Sequence, residues 1–248
     1  DMSMEDIVAN MGVSEKLIAI PRELPKPVVK KQELLKKPLI AIIIDDMGVN
    51  RTMSTNVLDN IKKSVTLSFL PYASNLQEQV DNAKKMGHEI ILHLPWEPYS
   101  ITANSGPNSL QTGDSKEQIY SNLIKNLDSF TGYEGLNNHM GSKFSGYRKG
   151  IEVVMKELKK RDLFFIDSLT DNNSIAEQVA REYGLKTSHR NVFLDHIETD
   201  AFVAKALQEV ERIALTKGSA IAIGHPKDVT IKGLASWLPT LEARGFKL

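Results

Sequence analysis

Two adjacent carboxylates, Asp45 and Asp46, end the apolar run Leu39-Ile40-Ala41-Ile42-Ile43-Ile44, and Gly48 follows two residues later. Neighbouring carboxylates repel and are costly to desolvate unless a cation or a shared proton relieves them. A second reading stays open, in which Asp46 caps the next helix and Asp45 is solvated. Further residues of the same chemistry stand where other strand-like runs stop: His93 with Glu97 close behind, Asn138 and His139, Asp167, Asp195 and His196, and His225. Neutral imidazoles and carboxylates form a nitrogen and oxygen donor set. That set suits zinc, or another divalent transition metal, better than calcium. Taken singly, His225 could end a strand and His139 could bond a carbonyl. His88 and His189 read as surface residues.

The elements that would carry these groups alternate along the chain. The run from Leu39 is unbroken rather than alternating, as in a strand of a parallel sheet covered on both faces. Further strands are expected over residues 64–70, 89–93, 135–138, 163–167, 191–194 and 219–224. Helices are expected over residues 50–61, 75–86, 115–127, 149–161, 174–183, 201–216 and about 231–243, with Ser115 as an N-cap. Residues 95–114 hold prolines, glycines and asparagines without periodicity, and loops of that length are usually functional. Seven strand-then-helix units predict an α/β protein with a closed or nearly closed barrel. A doubly wound open sheet is the alternative, but no glycine-rich nucleotide fingerprint follows the first strand. In a parallel barrel, the strand-end residues all meet at one rim, where ligands bind.

Composition narrows the function classes. Lys+Arg 31 against Asp+Glu 31 leaves no basic excess, so nucleic acid is not an expected partner. Cysteine is absent, which removes disulfides, thiolate metal sites and a cysteine nucleophile. No apolar run is long enough to span a membrane. Residues 4–20 have the pattern of a short amphipathic helix, and a proline- and lysine-rich arm reaches Pro38. The expected organisation is therefore an N-terminal helix and arm over residues 1–38 and a barrel over residues 39–248. The chain begins at Asp1 without an initiator methionine, so a signal or anchor upstream could have been removed, and the lack of one here carries no weight.

Four segments, Ile44-Asp45-Asp46-Met47-Gly48, His93-Leu94-Pro95-Trp96-Glu97-Pro98, Asn138-His139-Met140-Gly141-Ser142 and Phe165-Ile166-Asp167-Ser168, together resemble the divergent polysaccharide deacetylases. Gly87-His88-Glu89-Ile90-x-x-His93 and Ile223-Gly224-His225 are similar to motifs of the wider NodB-like superfamily. The resemblance implies a deformed seven-stranded (β/α) barrel of NodB-like type with a divalent metal, zinc being the best match, at its C-terminal rim. It implies Asp45 as general base and His225 as general acid. It implies Asp46 and His93 as metal ligands, and His139 is our choice for the third. Glu97, Trp96, Asn138, Ser142 and Asp167 are expected to face a carbohydrate substrate, with Glu97 the alternative third ligand and a place in the core the alternative for Trp96. The activity implied is removal of acetyl groups from an envelope glycan, in the periplasm or cell envelope, with a membrane anchor upstream. A non-catalytic carbohydrate-binding protein on the same fold is the alternative. The chain departs from the superfamily pattern in carrying Glu97 where a second histidine is usual, and in lacking the arginine-containing third motif.

Overall fold

The computed structural model describes residues 37–61 and 64–248. The expected helix over residues 4–20 and nearly all of the arm lie outside the described residues. Eight strands form one sheet: β1 (Leu39–Met47), β2 (Thr66–Phe69), β3 (Ile90–Trp96), β4 (Gly135–Met140), β5 (Phe164–Asp167), β6 (Thr187–His189), β7 (Val192–Phe193) and β8 (Ser219–Gly224). Their order is β6-β5-β4-β3-β2-β1-β8-β7, and every pairing is parallel. Among the described residues seven α-helices follow strands other than β6: α1 (Arg51–Asn60), α2 (Leu76–Lys85), α3 (Lys116–Leu127), α4 (Arg148–Lys160), α5 (Ala176–Glu182), α6 (Asp200–Lys217) and α7 (Asp228–Trp237). Asn50, Ser115 and Thr199 cap α1, α3 and α6 by accepting from the amides of Met53, Gln118 and Phe202.

The expected barrel is present, deformed at one place. Where one weak strand over residues 191–194 is expected, the chain forms two short ones, with β6 on β5 and β7 on β8. Between them, Arg190 N–H donates to Asp167 at the end of β5, and Asn191 N–H donates to Ile221 of β8. Two consecutive residues thus bond to opposite edges of the sheet, and no ladder pairs β6 with β7. β3 also runs further than expected, through Pro95 to Trp96. Proline's fixed φ suits extended backbone, and the Pro95 carbonyl accepts from Leu110 N–H at 2.9 Å. Helix α7 begins earlier than expected and stops at Trp237, just before Pro239, which cannot continue it.

Two separate apolar regions follow from strand alternation. A small one inside the barrel contains Ile43, Ile91 and Ile223, with Phe164, Ile166 and Ile221 against it. A much larger one, including Ile42, Ile44, Leu92, Leu94 and Phe165, fills the space between sheet and helices. The inner layer matters for function. Two residues beyond Ile43, Ile91 and Ile223 stand Asp45, His93 and His225, so the same inward face changes from isoleucine to ionisable groups at the C-terminal rim.

Candidate metal centre

Four strand ends bring the candidate residues together, and local backbone geometry aims them. His93 of β3 is in register with Asn137 of β4, and His139 lies two residues further along the same face of β4. Asp45 follows Ile43 on the inward face of β1. Simple alternation would turn Asp46 outward with Ile44, but Asp46 has φ +56. The register of β1 against β2 is irregular between Ile44 and Met47. This left-handed residue breaks the alternation and leaves both carboxylates at the same centre. Aspartate tolerates the conformation better than most residues do. Gly48, at φ +102, completes the exit in a space where an added Cβ would lie 2.8 Å from that of Ala73.

Among the described residues, Asp46, His93 and His139 form a group whose ligand atoms lie within 4.8 Å of one another. Asp46 Oδ1 is 3.3 Å from His93 Nε2 and 3.0 Å from His139 Nδ1. The two ring nitrogens are 3.1 Å apart. Oδ1 is buried and accepts no well-aligned hydrogen bond despite these neighbours. Three donor atoms therefore converge on a common point rather than on one another. Zinc bonds of about 2.0–2.1 Å in a tetrahedral site put neighbouring donors roughly 3.3–3.4 Å apart, close to the spacing here. The residues fit a divalent metal. His93 Nδ1 faces Asn137 Oδ1 at 2.7 Å, which keeps that ring nitrogen protonated and leaves Nε2 free to ligate.

The remaining groups flank this triangle. Asp45 is buried, 3.6 Å from His93 Nε2, and accepts from Asn137 Nδ2 at 2.7 Å. Burial raises its pKa, against the attraction of His93 and His225. Burial also works against ionisation of Asp46, but the contacts from His139 and His93 outweigh it and hold that carboxyl far below the usual range. On the other side, His225 Nε2 is 3.8 Å from Asp46 Oδ2. Its Nδ1 is 2.9 Å from Asp195 Oδ1, and its backbone N–H donates to Asp195 Oδ2. Burial lowers the pKa of His225, but the Asp195 hydrogen bond, followed by the charge of Asp45, raises it overall. A groove of about 470 Å³ opens beside the centre, lined in part by Asp46, His139, His225, Tyr72, Met53 and Pro226.

The residues expected to face substrate fall differently. Trp96 is fully buried and packs on Phe144 and Phe165, with ring centroids 5.1 and 5.7 Å away. It belongs to the core between sheet and helices, because it shares the outward face of β3 with Leu92 and Leu94. Glu97 is outside the donor cluster. Its carboxylate accepts from Lys143 Nζ at 2.7 Å and Thr112 N–H at 2.6 Å, tying the long loop to the segment after β4. Asn138 is buried and bonds backbone only, accepting from Ser168 N–H and donating to the Met140 carbonyl. Asp167 accepts from Leu169 N–H and Ser174 Oγ. Ser142 Oγ accepts from Tyr99 N–H. In the structure these side chains are engaged in hydrogen bonds that build the rim. His88, expected at the surface, is buried with Nδ1 2.8 Å from the Val65 carbonyl.

Several site residues escaped the sequence reading. Asn137 and Ser68 lie beneath His93, and Tyr72 lines the groove. Asp195 stood out as a strand-end residue, but its partner 30 positions away was not readable from spacing. Asn137 and Ser68 sit mid-strand, where only register reveals a shared face. The missing third-motif arginine has no sequence counterpart, but Arg190 donates to the carbonyls of Ser168 and Leu169 at the break between β6 and β7.

A family model described as divergent polysaccharide deacetylase matches residues 42–248. The uncharacterized protein YibQ of Escherichia coli is 32% identical over 195 residues, 79% of this chain and 60% of that protein. This chain therefore matches less than two thirds of that relative's length. The crystal structure of an uncharacterized protein from Agrobacterium tumefaciens superposes with a TM-score of 0.83 at 29% identity, covering 86% of this chain and 87% of that one. The catalytic domain of peptidoglycan N-acetylglucosamine deacetylase from Eubacterium rectale superposes with a TM-score of 0.51 at 13% identity, covering 85% and 86%. That last likeness is one of fold.

Proposed function

This chain belongs to the divergent polysaccharide deacetylase family, and from that membership we propose that it is a metal-dependent hydrolase removing acetyl groups from a carbohydrate, such as an envelope glycan. One observation carries the proposal. The donor atoms of Asp46, His93 and His139 converge, with the carboxylate of Asp45 on one side and the Asp195-backed imidazole of His225 on the other. A divalent cation held by Asp46, His93 and His139 would supply Lewis acidity toward the substrate carbonyl and the attacking water.

The side chains supply the proton transfers. Asp45 takes a proton from water as the water oxygen attacks the acetyl carbonyl carbon. Asn137 donates to the other oxygen of Asp45 and holds it in place. His225 gives its Nε2 proton to the leaving nitrogen, or oxygen in an ester, as the bond to the carbonyl carbon breaks. Asp195 keeps Nδ1–H engaged and stabilises the cationic ring. A protein that only held sugars would need neither the base nor the backed acid. Glu97 does not argue for such a protein, since His139 contributes a second imidazole to the donor set.

The test is elemental analysis of purified protein, followed by acetate-release assays on N- and O-acetylated glycans. The expected result is about one divalent ion per chain and release that chelation abolishes. Glycan binding with no acetate released by metal-loaded protein would make this a binding protein on a deacetylase fold.

A further inference from the structure

We propose that Asn137, held by Ser68, is a positioning residue that serves the metal centre and the catalytic base at once. The inference rests on the metal-hydrolase reading above. All four side chains are buried: Ser68, Asn137, Asp45 and His93 are no more than 3% exposed. Water therefore cannot stand in for a lost partner, and each hydrogen-bonding group must be satisfied within the set. Asn137 Oδ1 accepts from Ser68 Oγ at 2.6 Å and faces His93 Nδ1 at 2.7 Å. Asn137 Nδ2 donates to Asp45 Oδ1 at 2.7 Å.

The amide works here because its two ends differ. Its oxygen requires a proton on His93 Nδ1, so the lone pair is left on Nε2, the atom that meets Asp46 and His139. Its nitrogen gives Asp45 a hydrogen bond while the outer oxygen, Oδ2, remains 3.6 Å from His93 Nε2. Ser68 removes the remaining ambiguity. A hydroxyl donating to Oδ1 disfavours the flipped amide, which would set its oxygen against the Asp45 carboxylate. The neighbouring Asn138 is an internal contrast. It is as buried as Asn137 but faces the other way, and its amide bonds only the backbone around Ser168 and Met140.

The experiment compares zinc affinity, by competition with a chromophoric chelator, and the absorption spectrum of cobalt-substituted protein, in wild type, Asn137→Leu, Asn137→Ala, Ser68→Ala and Asn138→Ala. Thermal melts of metal-free protein identify which variants are folded. Asn137→Leu and Asn137→Ala are expected to weaken zinc binding by roughly 10–100-fold and to alter the cobalt spectrum, as loss of a ligand's supporting hydrogen bond does elsewhere. Ser68→Ala is expected to do the same to a smaller degree. Asn138→Ala is expected to lower the melting temperature while leaving zinc affinity and the cobalt spectrum as in wild type. A role in stability alone would move the melts of all four and the metal readouts of none. Folded Asn137 variants that bind zinc as tightly as wild type, with an unchanged spectrum, would overturn the inference and leave the metal centre standing. Wild-type protein that binds no zinc or cobalt would overturn the metal-hydrolase reading and the inference with it.

Discussion

At the scale of single residues, the site separates into groups whose loss should read out differently. Asp46→Ala and His139→Ala each remove one of three converging donors, so metal content after dialysis is expected to fall in both. Glu97→Ala should leave metal content unchanged, because that carboxylate is engaged by Lys143 and Thr112. Equal metal loss in Glu97→Ala would mean the donor set is misassigned. Asp45→Asn and His225→Ala change proton transfer and not ligation. Each is expected to retain metal while losing turnover by roughly a hundredfold or more, the scale of general acid–base effects. Acetate release that survives His225→Ala would remove that residue as the acid.

At the scale of elements, the face a residue occupies decides its role. Trp96 stands one position before Glu97 and three after His93, yet it lies on the outward face of β3 against Phe144 and Phe165. Trp96→Ala should therefore cost about 3–5 kcal/mol of stability, as large-to-small core changes do. Urea denaturation measures this, and a variant as stable as wild type would place the indole outside the core. The turn after β1 makes a related demand. Gly48→Ala puts a side chain at φ +102 and against Ala73. A left-handed conformation costs an L-residue about 1–2 kcal/mol. Here the strain falls two residues from Asp46, so zinc affinity is expected to drop along with stability.

At the scale of the whole molecule, a cation tying β1, β3 and β4 together should couple binding to folding. A ligand present at a hundred times its dissociation constant adds about 2.7 kcal/mol to the stability of the state that binds it. Zinc is thus expected to raise the denaturation midpoint, chelation to reverse the gain, and Asp46→Ala to abolish it. A midpoint indifferent to zinc in wild type would count against a centre built from three strands. We also propose an extracytoplasmic location for the full-length protein, on the family resemblance. Among the described residues no helix is long and apolar enough to cross a membrane. Cell fractionation tests the proposal, and recovery of the full-length protein only from cytosol would end it.

Strand-and-helix rhythm and the inward strand ends were readable from one sequence because each rests on local rules, whereas the acid and base roles came only from the family resemblance. An apolar run stopping at Asp45-Asp46 marks a buried strand and its rim. Regular alternation of such runs with helices marks a barrel, and shared placement at strand ends picked out His93, His139 and His225. Faces and partners were harder, because they depend on register and on backbone twist. Alternation alone would turn Asp46 away from the centre, and its left-handed φ, at the irregular pairing of β1 with β2, turns it back. The bonds from Asn137 to Asp45 and His93 cross 92 and 44 positions of sequence, and that from Asp195 to His225 crosses 30. No spacing rule reaches that far, so only the folded barrel brings these groups within hydrogen-bonding distance.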